Sequence, residues 1–478
     1  MNDLVESFSG IRGIYGKSLN EELAKKYASA FLFWLKDSKA VDRPKLVVGR
    51  DTRESSETLA NSFIESFVNA GCEVIDCGVS STPATENAVR YFKCDAGVMI
   101  SGSHNTPEYN GWKLLRGDGA ILSAEDAEKV IGNVNNDKVQ GSRFKVQGEE
   151  GKVGDGEVIK KSSENIRAYT DFVAEIIGEE GIKMIKDRKF KVLFDHGGGA
   201  SIPFVKPLVQ LLGIDAIHIN DKPGEFNRVI EPTVESLKYL IPKLKESGAD
   251  FAVGLDCDAD RAEFVTTSGE MVSGQLGLAI VVDELLGSHS DPKSQTIVVN
   301  DATSDLVHEI AKKHEASVHE VEVGEINVVN SMKDLQSIAG GEGSSGGSII
   351  SPQTCRDGLL ACSIIVRHLA KTGKSLQEIL NSFTRFYTLN EKVKISPNPE
   401  FRKNLENHFS EHPELVITKT GDQTGGIKIR FEDSAWLWCR GSKTEPGMVR
   451  IYTESKDKER ANEILQKGVK LAQSLPFK

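Results

Sequence analysis

Three times along this chain an apolar run ends in an aspartate with small or polar neighbours and passes into a helical stretch: VVGRDTRESS, VLFDHGGGAS and IVVNDATSDL. About 52, 61 and 41 residues after these aspartates, a second apolar run ends in a loop rich in glycine, serine or aspartate: MISGSHN, VGLDCDADR and IAGGEGSSGG. Short β-rich runs alternating with amphipathic helical stretches predict an α/β protein. The repeat narrows this to three similarly built units, each presenting a loop at the carboxyl end of a strand, where ligands bind in such sheets. Leu23, Tyr27, Phe31 and Trp34 recur at three- and four-residue steps and predict an early helix with one buried face.

Two stretches mark boundaries. One is the glycine- and charge-rich GEEGKVGDGEV; the other lies near Thr388–Pro397, where the α/β rhythm ends. Beyond it, the runs GIKIRF, AWLWC and MVRIY precede a helix carrying Ala461, Ile464, Leu465, Ala472 and Leu475, which predicts a smaller α+β domain. The expected segments are 1–155, 156–268 and 269–388, all α/β with mixed sheets, and 389–478.

Charge restricts the partners. With 59 Lys+Arg against 70 Asp+Glu the net charge is −11, which argues against nucleic acid and anionic membrane, since both need a positive surplus. No apolar run is long enough to span a bilayer and no secretory signal is expected. Seven cysteines without C-x-x-C pairs or zinc-finger spacing predict buried, reduced thiols in a cytoplasm. The same acidic balance makes a bound anion costly unless some local surface is basic.

Three motif matches fail on context. GIRGIYGKS lacks the P-loop spacing and no strand precedes it. Gly341-Glu-Gly343-Ser-Ser-Gly346 fits G-x-G-x-x-G, but a strand, GSII, follows where dinucleotide binding needs a helix N-terminus. Asp256-Cys-Asp258-Ala-Asp260 opens like an EF-hand but has neither the turn glycine nor the closing glutamate.

The Asp256–Asp260 loop nevertheless places three carboxylates at alternating positions after an apolar strand. They repel one another unless a cation or an arginine compensates, and they can converge on one hard ion such as Mg²⁺. Ser103-His104-Asn105 follows the strand AGVMIS and precedes Asn110-Gly111-Trp112-Lys113; a strand-end serine is a nucleophile when a neighbour accepts its proton. Arg440-Gly-Ser442-Lys443-Thr444-Glu445-Pro446, with Arg450, forms a basic, hydroxyl-rich turn suited to a phosphate dianion.

In this order, SGIRGIYG, GRDTRESS, SGSHNTPEYNGWK, DCDADR, GGEGSSGG, RDG at Arg356–Gly358 and RGSKTEPGMVRIYTES resemble the α-D-phosphohexomutase superfamily, almost from end to end. The resemblance implies a heart-shaped molecule of three α/β domains and a smaller C-terminal domain around a central cleft. It implies that Ser103 is phosphorylated in the active enzyme and that Asp256, Asp258 and Asp260 hold one Mg²⁺, which also touches the phosphoserine. Lys113, His104 and Arg12 then lie near the reacting hydroxyl, with Lys113 as general acid/base. Glu342, Ser344 and Arg261 match sugar-reading positions, and Arg440, Ser442, Lys443, Thr444 and Arg450 the loop that holds the non-reacting phosphate. Thr106 stands where the family commonly has proline, Ser344-Ser345 add one residue to the sugar loop, and Lys443 adds a charge beside the phosphate.

The implied activity is reversible interconversion of hexose 6-phosphate and hexose 1-phosphate, with glucosamine, mannose or glucose as the sugar. It proceeds through a hexose 1,6-bisphosphate, in a cytoplasmic monomer or homodimer. Two rival readings stand beside it. One is a dehalogenase-like phosphosugar phosphatase using Asp256 as nucleophile; the other is a non-catalytic phosphosugar-binding relative.

Overall fold

The computed structural model describes residues 4–39, 41–136, 139, 156–343, 346–395, 400–442 and 447–474. The chain divides into two compact units, one of Met1–Ser273 with Ile349–Gln377, the other of Gly274–Ser348 with Glu378–Lys478. The architecture is three α/β domains followed by a sheet-rich C-terminal domain.

The first sheet runs β1 (Val5–Ser7), β2 (Gly10–Ile14), β6 (Tyr109–Arg116), β5 (Ala96–Ile100), β3 (Lys45–Arg50), β4 (Glu73–Val79), β7 (Glu157–Lys160). Strands β5, β3, β4 and β7 are parallel, while β6 and β2 close one side antiparallel, so the sheet is mixed. β7 joins the edge from beyond residue 155. The second sheet runs β12 (Met271–Val272), β11 (Ala262–Thr266), β10 (Phe251–Leu255), β8 (Lys191–Asp195), β9 (Asp215–Ile219). The third has parallel strands β15 (Ala339–Gly341), β13 (Thr296–Asn300) and β14 (Ser317–Val321). The repeat read from the sequence is therefore a topology. In each domain the strand ending at the aspartate (β3, β8, β13) is central, with its chain successor on one side and the loop-bearing strand (β5, β10, β15) on the other.

The expected early helix spans Glu21–Lys39 and buries Tyr27, Phe31 and Trp34, with Leu23 partly buried against the same core. Trp112 of β6 is fully buried, with its ring edge-on to Phe63 at 5.3 Å and tilted on Tyr27 at 5.1 Å. Because side chains alternate along a strand, anchoring Trp112 in this core sends Lys113 to the opposite face. The failed motifs are explained too: Gly10–Ile14 is itself a strand, and the second glycine-rich stretch starts within β15.

The second unit closes with an antiparallel sheet, β16 (Tyr387–Lys394), β20 (Met448–Ser455), β19 (Trp436–Gly441), β18 (Ile427–Arg430), β17 (Val416–Lys419). The helix Lys458–Ser474 covers it through buried Ala461, Ile464, Leu465 and Ala472; Leu475 lies outside the described residues. All seven cysteines are buried thiols, and among the described residues no helix is long and apolar enough to cross a membrane.

Candidate active site

In the first unit, the loops after β5 and β10 carry the chemistry. Asp256, Asp258 and Asp260 are each fully buried, and one oxygen from each lies within 4.8 Å of the others. Three oxygens, Asp256 Oδ2, Asp258 Oδ1 and Asp260 Oδ1, are buried without a hydrogen-bond partner. Burial and the neighbouring Asp260 and Asp258 push the Asp256 carboxyl well up. Burial acts the same way on Asp260, but Arg356, Lys113 and Arg261 outweigh it and hold that carboxyl low. Three converging carboxylates that leave three buried oxygens without a hydrogen bond, with Arg261 Nε no nearer than 3.7 Å to them, suit the charge of a hard divalent cation, so these residues fit Mg²⁺.

Positive groups surround this cluster. Lys113 Nζ donates to Asp258 Oδ2 at 2.9 Å, Asp260 Oδ2 at 3.2 Å and Thr82 Oγ1 at 3.1 Å. Arg356 donates to Asp260 at 3.0 Å, and Arg261 pairs with Glu231 at 2.7 Å with its Nε 3.7 Å from Asp260. Arg12, on β2, feels Asp258, Asp260, Arg261 and Arg356, and burial lowers the pKa of its guanidinium.

Ser103 is buried, with φ +50°, a left-handed conformation unusual for serine, and its N–H donates to Ser101 Oγ at 2.7 Å. Its Oγ lies 3.3 Å from His104 Nδ1. Burial, with Arg261 and Arg12 nearby, drives the His104 pKa down to about 2, so the imidazole is neutral and able to accept. The first unit thus brings together Ser103, His104, Lys113, Arg12, Arg261 and the three aspartates. It adds one residue that the sequence reading quoted only as part of a motif, Arg356, which reaches Asp260 from 96 residues away.

The second unit holds the remaining described residues. Glu342 is buried, and its Oε1 accepts from Gly324 N at 2.9 Å and Asn300 Nδ2 at 3.3 Å. Arg440 donates to Val323 O at 3.0 Å and lies 3.5 Å from Glu322. Both therefore converge on residues 322–324, a segment with no sequence signal beyond one glycine. Arg440 and Arg450 are direct cross-strand partners, and Arg450 Nε is buried without a hydrogen-bond partner. Like charges placed opposite each other are unfavourable unless an anion sits between them. Ser442 N donates to Met448 O at 2.7 Å. Ser344, Ser345, Lys443 and Thr444 lie outside the described residues. A second acidic grouping, Asp305, His308 and Glu320, is structural: Arg430 takes Asp305, and Lys428 takes Glu320 at 2.7 Å.

The chain matches the families described as phosphoglucomutase/phosphomannomutase alpha/beta/alpha domain I over residues 6–140, domain II over 167–269 and domain III over 273–387. It is 34% identical over 466 residues to a phosphoglucomutase/phosphomannomutase of Thermococcus kodakarensis, covering 97% of both chains. It is 30% identical over 473 residues to a probable phosphoglucosamine mutase of Pyrococcus abyssi, covering 97% of this chain and 96% of the relative. In structure it is similar to a phosphoglucomutase/phosphomannomutase family protein of Burkholderia thailandensis, with TM-score 0.80, 20% identity and 99% of each chain covered. It also resembles an Aspergillus fumigatus N-acetylphosphoglucosamine mutase in complex with GlcNAc-6P and magnesium, with TM-score 0.57, 14% identity and coverage of 83% of this chain and 93% of the other.

Proposed function

We propose that this chain, which belongs to the α-D-phosphohexomutase superfamily and is an isomerase-class phosphotransferase, interconverts hexose 6-phosphates and hexose 1-phosphates by way of phosphorylated Ser103. The observation that carries this reading is the trio of orphaned, buried carboxylate oxygens in the same unit as a buried, left-handed serine. The sugar is glucosamine, mannose or glucose, and the setting a cytoplasm with a monomer or homodimer at work.

Held by Asp256, Asp258 and Asp260, Mg²⁺ would offset the negative charge that gathers on a transferring phosphoryl group. The remaining steps belong to the chain's own residues. A hydroxyl of the bound sugar phosphate attacks phosphorus on Ser103; the new P–O bond forms as the bond to Oγ breaks, the hydroxyl gives up its proton and the released Oγ gains one. The Lys113 ammonium, between Asp258 and Asp260, gives its proton to Oγ as that bond breaks and regains one from the attacking hydroxyl; the return step reverses the exchange. Arg12 and Arg261 draw the phosphoryl oxygens into line, and neutral His104 accepts a hydrogen bond from the Ser103 hydroxyl and orients Oγ for rephosphorylation. Glu342, with Ser344, reads sugar hydroxyls, while Arg440, Ser442, Lys443, Thr444 and Arg450 hold the phosphate that does not react. The resulting hexose 1,6-bisphosphate returns its other phosphate to Ser103.

The test is a coupled assay on glucosamine, mannose and glucose phosphates with Mg²⁺ and catalytic bisphosphate, alongside intact-mass measurement. Ser103→Ala should abolish isomerisation and the mass of one phosphoryl group. Phosphate release that survives Ser103→Ala would instead favour Asp256 as a hydrolytic nucleophile.

A further inference from the structure

The aspartates that open each repeat were the first feature visible in the sequence, yet the mechanism above uses none of them. In the first unit two of them, Asp51 and Asp195, are fully buried, and each grips one arginine. Arg53 Nε donates to Asp51 Oδ2 at 3.1 Å, and the rest of its guanidinium forks onto three carbonyls of the serine loop. Those bonds run to Ser103 O, Asn105 O and Thr106 O, each at 2.7 Å. Arg228 Nε donates to Asp195 Oδ2 at 2.5 Å, and its guanidinium reaches Leu255 O, also at 2.5 Å, the carbonyl immediately before Asp256.

The two arrangements share a plan. In each, the carboxylate sits at the end of the central strand and the guanidinium holds backbone beside it: Arg53 the loop that follows β5, Arg228 the last residue of β10 and the carbonyls of Val229 and Ile230 in its own segment. In each, a glycine leaves the necessary space. A Cβ on Gly102 would lie 2.7 Å from Arg53 Nε, and a Cβ on Gly197 would lie 2.8 Å from an Arg228 nitrogen. Asp51 also accepts the Cys257 thiol at 3.3 Å and Asp195 the Tyr239 hydroxyl at 2.7 Å, so both carboxylates are anchored from more than one side.

Resting on the phosphoserine reading, we infer that Asp51–Arg53 and Asp195–Arg228 are a pair of positioning clamps. One sets the serine loop and the other the metal loop, so that the phosphoryl donor and its counter-charge are held at a constant separation. Neither arginine needs to touch substrate. A guanidinium with several donors in one plane suits this better than an ammonium, because it can bind a carboxylate and several carbonyls at once without losing its charge. Shifting a reacting group by about an ångström costs on the order of a hundredfold in rate, so a backbone clamp has leverage on catalysis.

The test uses the full chain with Arg53→Ala, Arg53→Lys, Arg228→Ala and Arg228→Lys, the lysine variants keeping the buried charge if the alanine variants fold poorly. Hydrogen exchange comes first. Arg53 variants should speed exchange in residues 101–110 and spare 251–260, and Arg228 variants should do the reverse. Titration with Mn²⁺ alone should show affinity weakened by about tenfold or more for Arg228 variants and nearly unchanged for Arg53 variants. In the mutase assay Arg53→Ala should lose about a hundredfold in kcat with KM nearly unchanged, and added guanidinium ion should restore part of it. Equal loosening of both loops, or loss of melting temperature with kcat intact, would overturn the clamps. A wild-type protein that isomerises no hexose phosphate would sink the mutase reading, while exchange and Mn²⁺ affinity would still judge the clamps.

Discussion

Lys113 ends its side chain between two buried carboxylates, and its charge is therefore already committed before any ligand arrives. Lys113→Met removes this cation from the acidic cluster and leaves Asp258 and Asp260 less compensated, which predicts loss of mutase activity and a lower melting temperature without divalent cation. Mg²⁺ should recover most of that stability, because a ligand that binds only the folded state stabilises it by about 2.7 kcal/mol at a hundred times its dissociation constant. Thermal melts with EDTA and with Mg²⁺ check this, and a variant whose loss Mg²⁺ leaves untouched would refute it. His196 makes a prediction of a different kind. Burial, followed by the adjacent His218, pushes its pKa down to about 4, against the opposing pull of Asp195 and Asp221. The unfolded chain then binds a proton near pH 6.5 that the folded chain refuses, so stability falls as pH drops from 6.5 towards 4. His196→Gln should flatten that slope by up to about 3 kcal/mol across the window, measured by urea unfolding at each pH.

At the scale of elements, the helix Gly358–Thr372 shows how one residue can secure a site from outside it. Asp357 caps this helix by accepting from Leu360 N at 3.0 Å, and it also takes the Tyr169 hydroxyl at 2.6 Å and Gln353 at 2.8 Å. Asp357→Ala removes the cap and orphans a buried hydroxyl, predicting a loss of about 2–4 kcal/mol in urea unfolding. Because Arg356 adjoins the cap, the variant should also weaken Mn²⁺ binding; an unchanged affinity would separate Arg356 from the cluster. Elements of this kind also mark how far the sequence could be read. The helix carrying Tyr27 and Phe31 and the strands before Asp51, Asp195 and Asp301 were legible because burial leaves a period in the sequence. Ser103 and the aspartate loop were legible because their residues are contiguous. Arg356 on Asp260, Arg440 on Val323 and Arg53 on three loop carbonyls were not. Each joins segments tens of residues apart or ends on backbone, and backbone atoms carry no letter in a sequence.

At the scale of the whole molecule, an acidic chain still concentrates cations locally. Arg12, Lys113, Arg261 and Arg356 gather at one acidic cluster in the first unit, and Arg440 faces Arg450 in the second. The second unit also holds an ion pair of its own, buried Lys428 with half-buried Glu320. Burial opposes ionisation of Glu320, but His308 and Lys428 prevail and hold its pKa at about 2. Its contribution is therefore present above pH 4.5 and is lost as pH falls from there towards 2. Glu320→Gln should flatten acid unfolding of the second unit in that lower window and leave the higher window of His196 unchanged, as followed by hydrogen exchange in each unit.

The division of the chain has a consequence for its biosynthesis. The first unit is made of residues 1–273 and 349–377, interrupted by a stretch that belongs to the second. Arg356, which pairs with Asp260, and Asp357, which holds Tyr169, are both in the later piece. A nascent chain emerging at about 5–20 residues per second has therefore translated the serine and aspartate loops well before it can complete the unit that holds them. For that interval the aspartates are made and Arg356 is not, so their charge is among the last in the first unit to be balanced.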